Sequence, residues 1–504
     1  MSTKIIESVS IITVLGILLR WAVSFHPYSG AGKPPMYGDY EAQRHWQEIT
    51  LNLPVASWYT NSTDNDLLYW GLDYPPLTAY HSYLNAWLAW YLNPDYVALS
   101  TSRGYESPEH KLFMRYTVLI ADLCIFIPAA LLFMRVSSGL YLYKVAAKFD
   151  FLALMTYPGL ILIDYGHFQY NNVSLGLFVA AVAALTASND TLGAALFSFA
   201  LNYKQMELYH ALPFFFFLLA KCTAEKSWSE SLIKLATIGG TVVLVFVILW
   251  SPYLTSIESL TQLMNRVFPI NRGLFEDKVA SVWCSLSIAI KFKELVNNFQ
   301  MAKLCLVTTG LLSLPSCINL FQNGTIAHFK YSLVNVSFIF FLFSFHVHEK
   351  SILLVAIPAC LLFSSESFMT SWFLGLTVFS MIPLLEKDGL FIASVALMPV
   401  LMIVYQVTVA HCQSLSLRCA LTEGRTSLDV FLRRRGLVLF RASFALCVVL
   451  TLIYKCVQPP VRYPDLFSVL IAIVSCAHFL FFALYFHVRQ FSLSKAKGFG
   501  KKKK

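Results

Sequence analysis

Apolar runs of membrane-crossing length recur along the 504-residue chain from residue 8 to residue 488. A bilayer core calls for roughly 17–25 mostly apolar residues per helical span, and about fourteen segments approach that length, some of them short. They lie near 8–26, 112–134, 146–163, 173–187, 190–203, 207–220, 233–252, 302–320, 330–345, 351–363, 368–385, 389–410, 438–456 and 466–488. Lipid leaves a backbone no water to bond, so segments of this kind are helices. The predicted class is an all-α polytopic membrane protein. Only 13% of the residues are charged, about half the share of a soluble protein, which excludes a water-soluble globular chain.

Eleven cysteines are scattered singly, with no Cys-x-x-Cys pair and no Cys/His cluster of zinc spacing, and read as small apolar packing residues. The net charge of +10 does not announce a nucleic-acid partner. Seven basic residues follow residue 488 and five lie between 418 and 435, where Lys and Arg beside membrane helices act as topology signals. The loops 135–150, 221–234 and 412–437 and the tail 489–504 are all basic and fall on one side for fourteen spans, the cytosolic side, with both termini. The long 27–111 loop carries four basic residues against nine acidic ones and belongs on the opposite side. Arg20 and Trp21 interrupt the first apolar stretch and no small-residue cleavage site follows, so it reads as an uncleaved anchor. Lys501–Lys504 fit either a dilysine retrieval signal for the endoplasmic reticulum or a solvated stop-transfer tail. Of the Asn-x-Ser/Thr sequons, only Asn61 lies clear of the spans, in the acidic loop.

Ionisable residues at membrane segments are functional candidates by default. On this topology Asp39, Asp73, Asp164, His167, Lys204, Glu207, the run Arg266–Lys278 and the run His346–Lys350 all reach the non-cytosolic side. Five distant segments gathering charge at one face suggest a catalytic cleft more than a conduction path. Bland readings stand beside this one. Asp39 precedes Ala42, Trp46, Ile49 and Leu53, spaced to line one helical face, and an Asp there is a natural N-cap. Asp73 in Asp73-Tyr74-Pro75-Pro76 fixes a turn equally well, ahead of an amphipathic surface segment at 77–92. The run Arg266 to Lys278 reads as a solvated loop or, through the guanidinium forks of Arg266 or Arg272, as a phosphate contact. His346-Val347-His348-Glu349-Lys350 lacks metal spacing, so no metal is expected.

Several motifs carry a resemblance. They are Tyr28-Ser29-Gly30-Ala31-Gly32-Lys33-Pro34-Pro35 with Gly38-Asp39-Tyr40-Glu41-Ala42-Gln43-Arg44-His45-Trp46, then Gly71-Leu72-Asp73-Tyr74-Pro75-Pro76-Leu77-Thr78-Ala79, Gly166-His167-Phe168-Gln169-Tyr170-Asn171, Phe275-Glu276-Asp277-Lys278-Val279-Ala280 and Val347-His348-Glu349-Lys350. In this order they resemble the endoplasmic-reticulum dolichyl-phosphate-glucose-dependent glucosyltransferases, over essentially the whole chain. Within that family the stretch from Glu41 to Trp46 and the Glu276-Asp277-Lys278 run look like the branch adding the first glucose.

The resemblance implies a GT-C fold: a membrane module at 1–255 including the lumenal loop 27–111, a connecting loop at 256–300, a variable membrane module at 301–488 and a basic tail at 489–504. It implies a dolichyl-phosphate-glucose donor, a dolichol-linked nine-mannose acceptor, surrounding membrane lipid and no cofactor. The expected reaction is a single inverting displacement forming an α-1,3 linkage. Such a step needs a base on the acceptor hydroxyl and stabilisation of the departing phosphate. The resemblance assigns the base to Asp39 and acceptor positioning to Asp73. His348 and Lys350, then Arg272 and Lys204, are the expected phosphate ligands. Glu41, Arg44, His167, Gln169, Glu276, Asp277 and Lys278 complete the lumenal motifs. A second-glucose or mannose transferase of the same fold, and a lipid or sugar transporter, remain as alternatives.

Overall fold

The computed structural model describes residues 3–137, 141–269, 278–419 and 435–501, and its elements there are all helical. The helices of the bundle are α1 (Thr3–Ser24), α4 (Pro108–Ser137), α5 (Ala146–Phe168), α6 (Asn171–Thr186), α7 (Asp190–Tyr203), α8 (Leu208–Thr223), α9 (Trp228–Trp250), α11 (Asn298–Asn323), α12 (Ile326–Phe343), α13 (Leu353–Cys360), α14 (Ser367–Ser380), α15 (Phe391–Cys419), α16 (Leu437–Cys456) and α17 (Leu466–Lys501). Outside them lie α2 (Asp39–Asn52), α3 (Pro76–Leu92) and α10 (Ile257–Val267). Each of the fourteen expected segments coincides with a helix. Among the described residues, however, nine rather than fourteen have the length and hydropathy of a span. The other five, α6, α7, α8, α13 and α14, are shorter, and of these α6, α13 and α14 are enclosed by other helices along most of their length.

One hydrophobic core runs through the bundle from Val23 in α1 to Phe486 in α17. Helix α6 packs between α4 and α7, α8 carries α11 and α12 on its flank, and α15 lies on α5. Arg20, which breaks the first apolar stretch, is buried rather than snorkelled to water. Its Nε donates to Asp122 Oδ2 at 2.7 Å and its Nη1 to Met155 O at 2.6 Å, joining α1 to α4 and α5. Removing one member of such a buried pair costs roughly 3–5 kcal/mol because the other charge stays in place.

The polar layer at one end of the bundle has its own small core of Trp46, Ile49, Trp58, Tyr59, Leu72, Ala79, Tyr253, Leu263 and Val267. It seats α2 on the turn before α3 and on α10. The apolar face expected for α2 is there: Ala42, Trp46 and Ile49 are buried. Its polar face is buried too. Arg44 donates to Glu41 at 2.6 and 2.8 Å and to Glu48 at 2.7 Å, and Ser100 N–H and Ser102 Oγ donate to Glu48. This network ties the 94–105 segment to α2. Pro75 and Pro76 start α3 at its N-cap and first helical position, where the missing N–H costs nothing. The outward face of α3 is apolar, with Tyr83, Leu84, Trp87, Trp90 and Tyr91 exposed, as suits a helix at the headgroup boundary.

Candidate active site

Beneath α2 the bundle opens into a cavity of about 550 Å³, a volume typical of small-molecule sites. Its lining divides by chemistry. Leu175, Met206, Leu208, Phe340, Leu353 and Leu354 make an apolar side from membrane helices, and Asp39, Asp73, Lys204, Arg266, His348 and Lys350 make a polar one.

Asp39 is where remote segments meet. The alternative reading of it as a cap does not hold: Gly38 is the N-cap of α2, in extended backbone, and no side chain caps the helix. As the first helical residue Asp39 turns its carboxylate across the bundle instead. Its Oδ2 accepts from His167 Nε2 at 3.0 Å and from Gln169 Nε2 and Lys350 Nζ. Burial alone would raise its pKa, but Lys350 and His167 outweigh burial and hold the carboxyl well below the usual range.

His167 and Gln169 reach the site through a local distortion. Helix α5 ends in a π-helical turn, Leu162–Phe168, and Phe168 takes a φ of 89°. A bulky residue in left-handed backbone persists only where its surroundings impose it. Here Ser29 N–H donates to His167 O at 3.0 Å and Arg115 Nη2 to Gly166 O at 2.9 Å. The second ring nitrogen of His167, Nδ1, lies 2.5 Å from Asp388 Oδ2.

Lys204, just past α7, donates to Asn171 Oδ1 at 2.6 Å and Gln169 Oε1 at 3.2 Å. It stands one step behind Asp39, holding the Gln169 amide so that its NH2 faces the carboxylate. Burial and the neighbouring Lys350 push its pKa down to about 8. Burial, then Lys350, push His348 down to about 3, so near pH 7 its ring is neutral and donates through one N–H. Asp73 lines the cavity at the other edge. Its turn is clamped: Arg266 donates to Gly71 O at 2.6 Å and Leu72 O at 3.1 Å, and Gln205 Nε2 donates to Asp73 O at 3.0 Å. The Arg266 fork is thus engaged with backbone carbonyls, unlike the phosphate contact considered for it.

Other expected residues stand apart. Glu41 and Arg44 belong to the closed network of α2 and do not line the cavity. Lys278 reaches Asp465 at 3.1 Å, away from the cavity lining. Asp164 accepts from the backbone N–H groups of Asn171 and Asn172 at 3.2 and 2.8 Å, anchoring the start of α6. Arg272, Glu276 and Asp277 lie outside the described residues. Asn61 is exposed, with Oδ1 accepting from Leu67 N–H at 3.2 Å. Two contributors escaped the sequence reading. Gln205 carries no charge to draw notice, and Asp388 sits in Lys387-Asp388-Gly389, which looks like a solvated turn between spans. Counting spans would have found Asp388, because that turn falls on the same side as the other polar residues.

Among the described residues no three His, Cys, Asp or Glu side chains gather to hold a metal ion; Asp39 and Asp388 flank opposite nitrogens of His167. The arrangement suits a displacement in which a carboxylate receives a hydroxyl proton while neighbouring donors meet a developing anion.

Comparisons with known proteins agree in extent. A protein of Gallus gallus named dolichyl pyrophosphate Man9GlcNAc2 alpha-1,3-glucosyltransferase is 50% identical over 95% of this chain and 96% of its own length. One of the same name from Rattus norvegicus is 49% identical, over 95% and 96%. The model of the ALG6, ALG8 glycosyltransferase family matches residues 16–485, a stretch that contains every described residue of the cavity, and the chain belongs to that family.

Proposed function

We propose that this multi-pass membrane protein transfers the first glucose from dolichyl-phosphate-glucose, in α-1,3 linkage, to the terminal mannose of dolichol-linked Man9GlcNAc2 at the lumenal face of the endoplasmic reticulum. The observation that carries the chemistry is the single carboxylate of Asp39 gathered with Lys350, His167 and Gln169 at a cavity whose other wall is apolar. The sugar, the linkage and the acceptor rest on the names of the relatives.

Asp39 is the base. Three donors converge on its Oδ2, which leaves Oδ1 for the acceptor hydroxyl. As the hydroxyl proton passes to Asp39, the freed oxygen attacks the anomeric carbon. The bond from that carbon to the phosphate oxygen breaks with its electron pair going to the phosphate, and the β-linked donor yields an α-linked product and dolichyl phosphate. Lys350 and His348 meet the phosphate, the first as a cation and the second as a neutral N–H donor. Lys204 supports them through Gln169, Arg272 remains a proposed further ligand, and Asp73 positions the acceptor. The Asp39–Lys350 pair gives this order of events a physical basis. A carboxylate held well below its usual pKa is a poor base, and a donor phosphate that draws the charge of Lys350 to itself restores the basicity of Asp39. The apolar wall suits the first isoprene units of the carrier.

The lumenal placement rests on charge. Helix α8 leads from Leu208 at the cavity to Lys221 at its far end, where Lys221 and Lys234 pair with Asp190 at 2.5 and 3.1 Å; basic ends face the cytosol.

The test uses purified protein with dolichyl-phosphate-glucose and the lipid-linked nine-mannose acceptor, and a mannose-charged donor in parallel. One α-1,3-linked hexose from the glucose donor alone is expected. Transfer from the mannose donor, or from neither with folded protein, overturns the reading.

A further inference from the structure

Asp388 lies 349 positions after Asp39 in the sequence, yet the two carboxylates flank the same imidazole. Asp388 Oδ2 is 2.5 Å from His167 Nδ1, and Asp39 Oδ2 is 3.0 Å from His167 Nε2. Asp388 and His167 are both buried.

The position of Asp388 is fixed from several directions. It ends the short helix Ile382–Lys387, where its N–H donates to Leu384 O at 3.2 Å. Gly389 follows with a φ of 74°, the left-handed backbone that glycine tolerates. Lys33, from the segment leading to Asp39, donates from Nζ to Lys387 O at 2.8 Å. Leu390 presses on Gly166, beside His167, so closely that a Cβ there would stand 2.7 Å from its Cδ1. The turn is built against the π-helical end of α5 and has little room to shift.

A neutral imidazole donates from only one nitrogen, whereas the imidazolium donates from both. Two carboxylates on opposite nitrogens therefore fit the doubly protonated ring: Nδ1–H to Asp388 and Nε2–H to Asp39. In a neutral ring with its proton on Nδ1, the Nε2 lone pair would face the Asp39 carboxylate. Lys350 Nζ lies 3.2 Å from Nε2 and as a cation opposes the charge on the ring, but it also donates to Asp39, and the ring faces two carboxylates against this one cation. Arg115 meets this turn at Gly166 O and over the Phe168 ring, 5.5 Å from its centroid.

We infer that Asp388 is a positioning residue of the transfer reaction: it holds His167 as a doubly donating cation, and His167 in turn fixes Oδ2 of Asp39 so that Oδ1 meets the acceptor hydroxyl. Asp388 touches neither substrate and acts through the ring. The inference rests on the role given above to Asp39. With Gln169, it keeps the Asp39 carboxylate anchored when Lys350 turns to the phosphate.

The experiment compares Asp388→Asn, which keeps an acceptor for Nδ1–H without the charge, with Asp388→Ala, His167→Gln and the double variant Asp388→Asn/His167→Gln. For Asp388→Asn, kcat falls about 10- to 100-fold, the scale on which a slightly misplaced catalytic group acts. KM for donor and acceptor stays within about twofold, since neither substrate loses a contact. Asp388→Ala falls further. In the His167→Gln background Asp388→Asn adds nothing, because coupled residues are non-additive. Additive losses, or a loss carried by KM, overturn the inference while leaving Asp39 as the base untouched.

A second readout does not depend on turnover. Nitrogen-15 spectra of histidine-labelled protein near neutral pH, with His167→Gln used to assign the signals, are expected to show both His167 ring nitrogens protonated in the parent chain and one of them deprotonated in Asp388→Asn. A neutral His167 in the parent overturns the inference even if the chain transfers no sugar, and a protonated one supports the ring state on its own. Lack of glucose transfer by the parent instead strikes the proposed function.

Discussion

Helix α2 carries two charge clusters barely a turn apart, one buried and one half-buried, and they are built in opposite ways. Glu41, Arg44 and Glu48 pair within the helix at i,i+3 and i,i+4 spacing and close their remaining contacts on Tyr69, Ser100 and Ser102. Asp39 takes its partners from residues 167, 169 and 350 and borders a cavity. The first cluster is a closed clamp: each added contact fixes the 94–105 segment more firmly. The second leaves one carboxylate oxygen, the Lys350 cation and the His348 ring facing a space of substrate size. A dense charged motif in a sequence therefore does not mark a site; convergence from distant segments onto an open cavity does.

The sharpest way to break this contrast is to remove one charge from each cluster. Asp39→Asn keeps the size and much of the hydrogen bonding of the side chain but not the proton acceptor. Turnover is expected to fall by about 10³-fold or more, near the upper range for a general base, with yield and melting temperature in detergent close to the parent. Arg44→Met should do the reverse. It strands Glu41 and Glu48 without their cation, a loss of roughly 3–5 kcal/mol for a buried pair, read as a lower melting temperature and yield with near-normal turnover per folded molecule. If Arg44→Met abolished turnover at unchanged stability, or Asp39→Asn unfolded the chain, the division into clamp and site would fail.

The two clusters also differ in how far the sequence reveals them. Periodicity picks out α2 and its apolar face at Ala42, Trp46 and Ile49, because a 3.6-residue repeat is a local property. The side of the membrane on which Asp39, His167, Lys204 and Lys350 fall follows from counting spans and basic loops. Neither argument separates Glu41 from Asp39. Both are acidic residues in one motif, and what distinguishes them is whether partners lie four or three hundred residues away. Asp388 escapes the local pattern for the same reason: although the span count puts it on the right side, nothing local tells a turn carboxylate packed on His167 from one facing water. Hydropathy also does not tell a lipid-facing helix from one enclosed by protein, as α6, α13 and α14 are.

Lys350 sharpens the contrast through pH. Replacing it with Gln removes both a phosphate ligand and the cation that keeps Asp39 ionised. The fall in kcat/KM for the donor is expected to be about 100-fold, the order of one lost transition-state contact. The direction of the pH shift follows from the causes acting on Asp39. Burial raises its pKa while Lys350 and His167 lower it, so without Lys350 the pKa rises. A base works only when deprotonated, so the acid limb of the rate profile of Lys350→Gln should move to higher pH. The same substitution made in the clamp, Arg44→Gln, should leave that limb in place. An unmoved limb in Lys350→Gln would remove the electrostatic link between donor binding and the base.

The smallest effect is expected at Asn61. Its loop belongs to the same polar layer as both clusters: Asn65 Nδ2 donates to Ser57, Trp58 and Thr60 carbonyls at 3.0–3.1 Å, and Tyr69 OH donates to Glu41 Oε1 at 2.8 Å. A glycan at exposed Asn61 would therefore stand on the clamp and away from the cavity lining. In cells the parent chain should shift in size on enzymatic deglycosylation and Asn61→Gln should not, with turnover within about twofold, as befits an exposed surface position. The glycan matters as a marker more than as a part. Only a layer facing the glycosylation machinery can carry it, so a modified Asn61 fixes clamp and cavity together in the lumen, whereas an unmodified one withdraws that support.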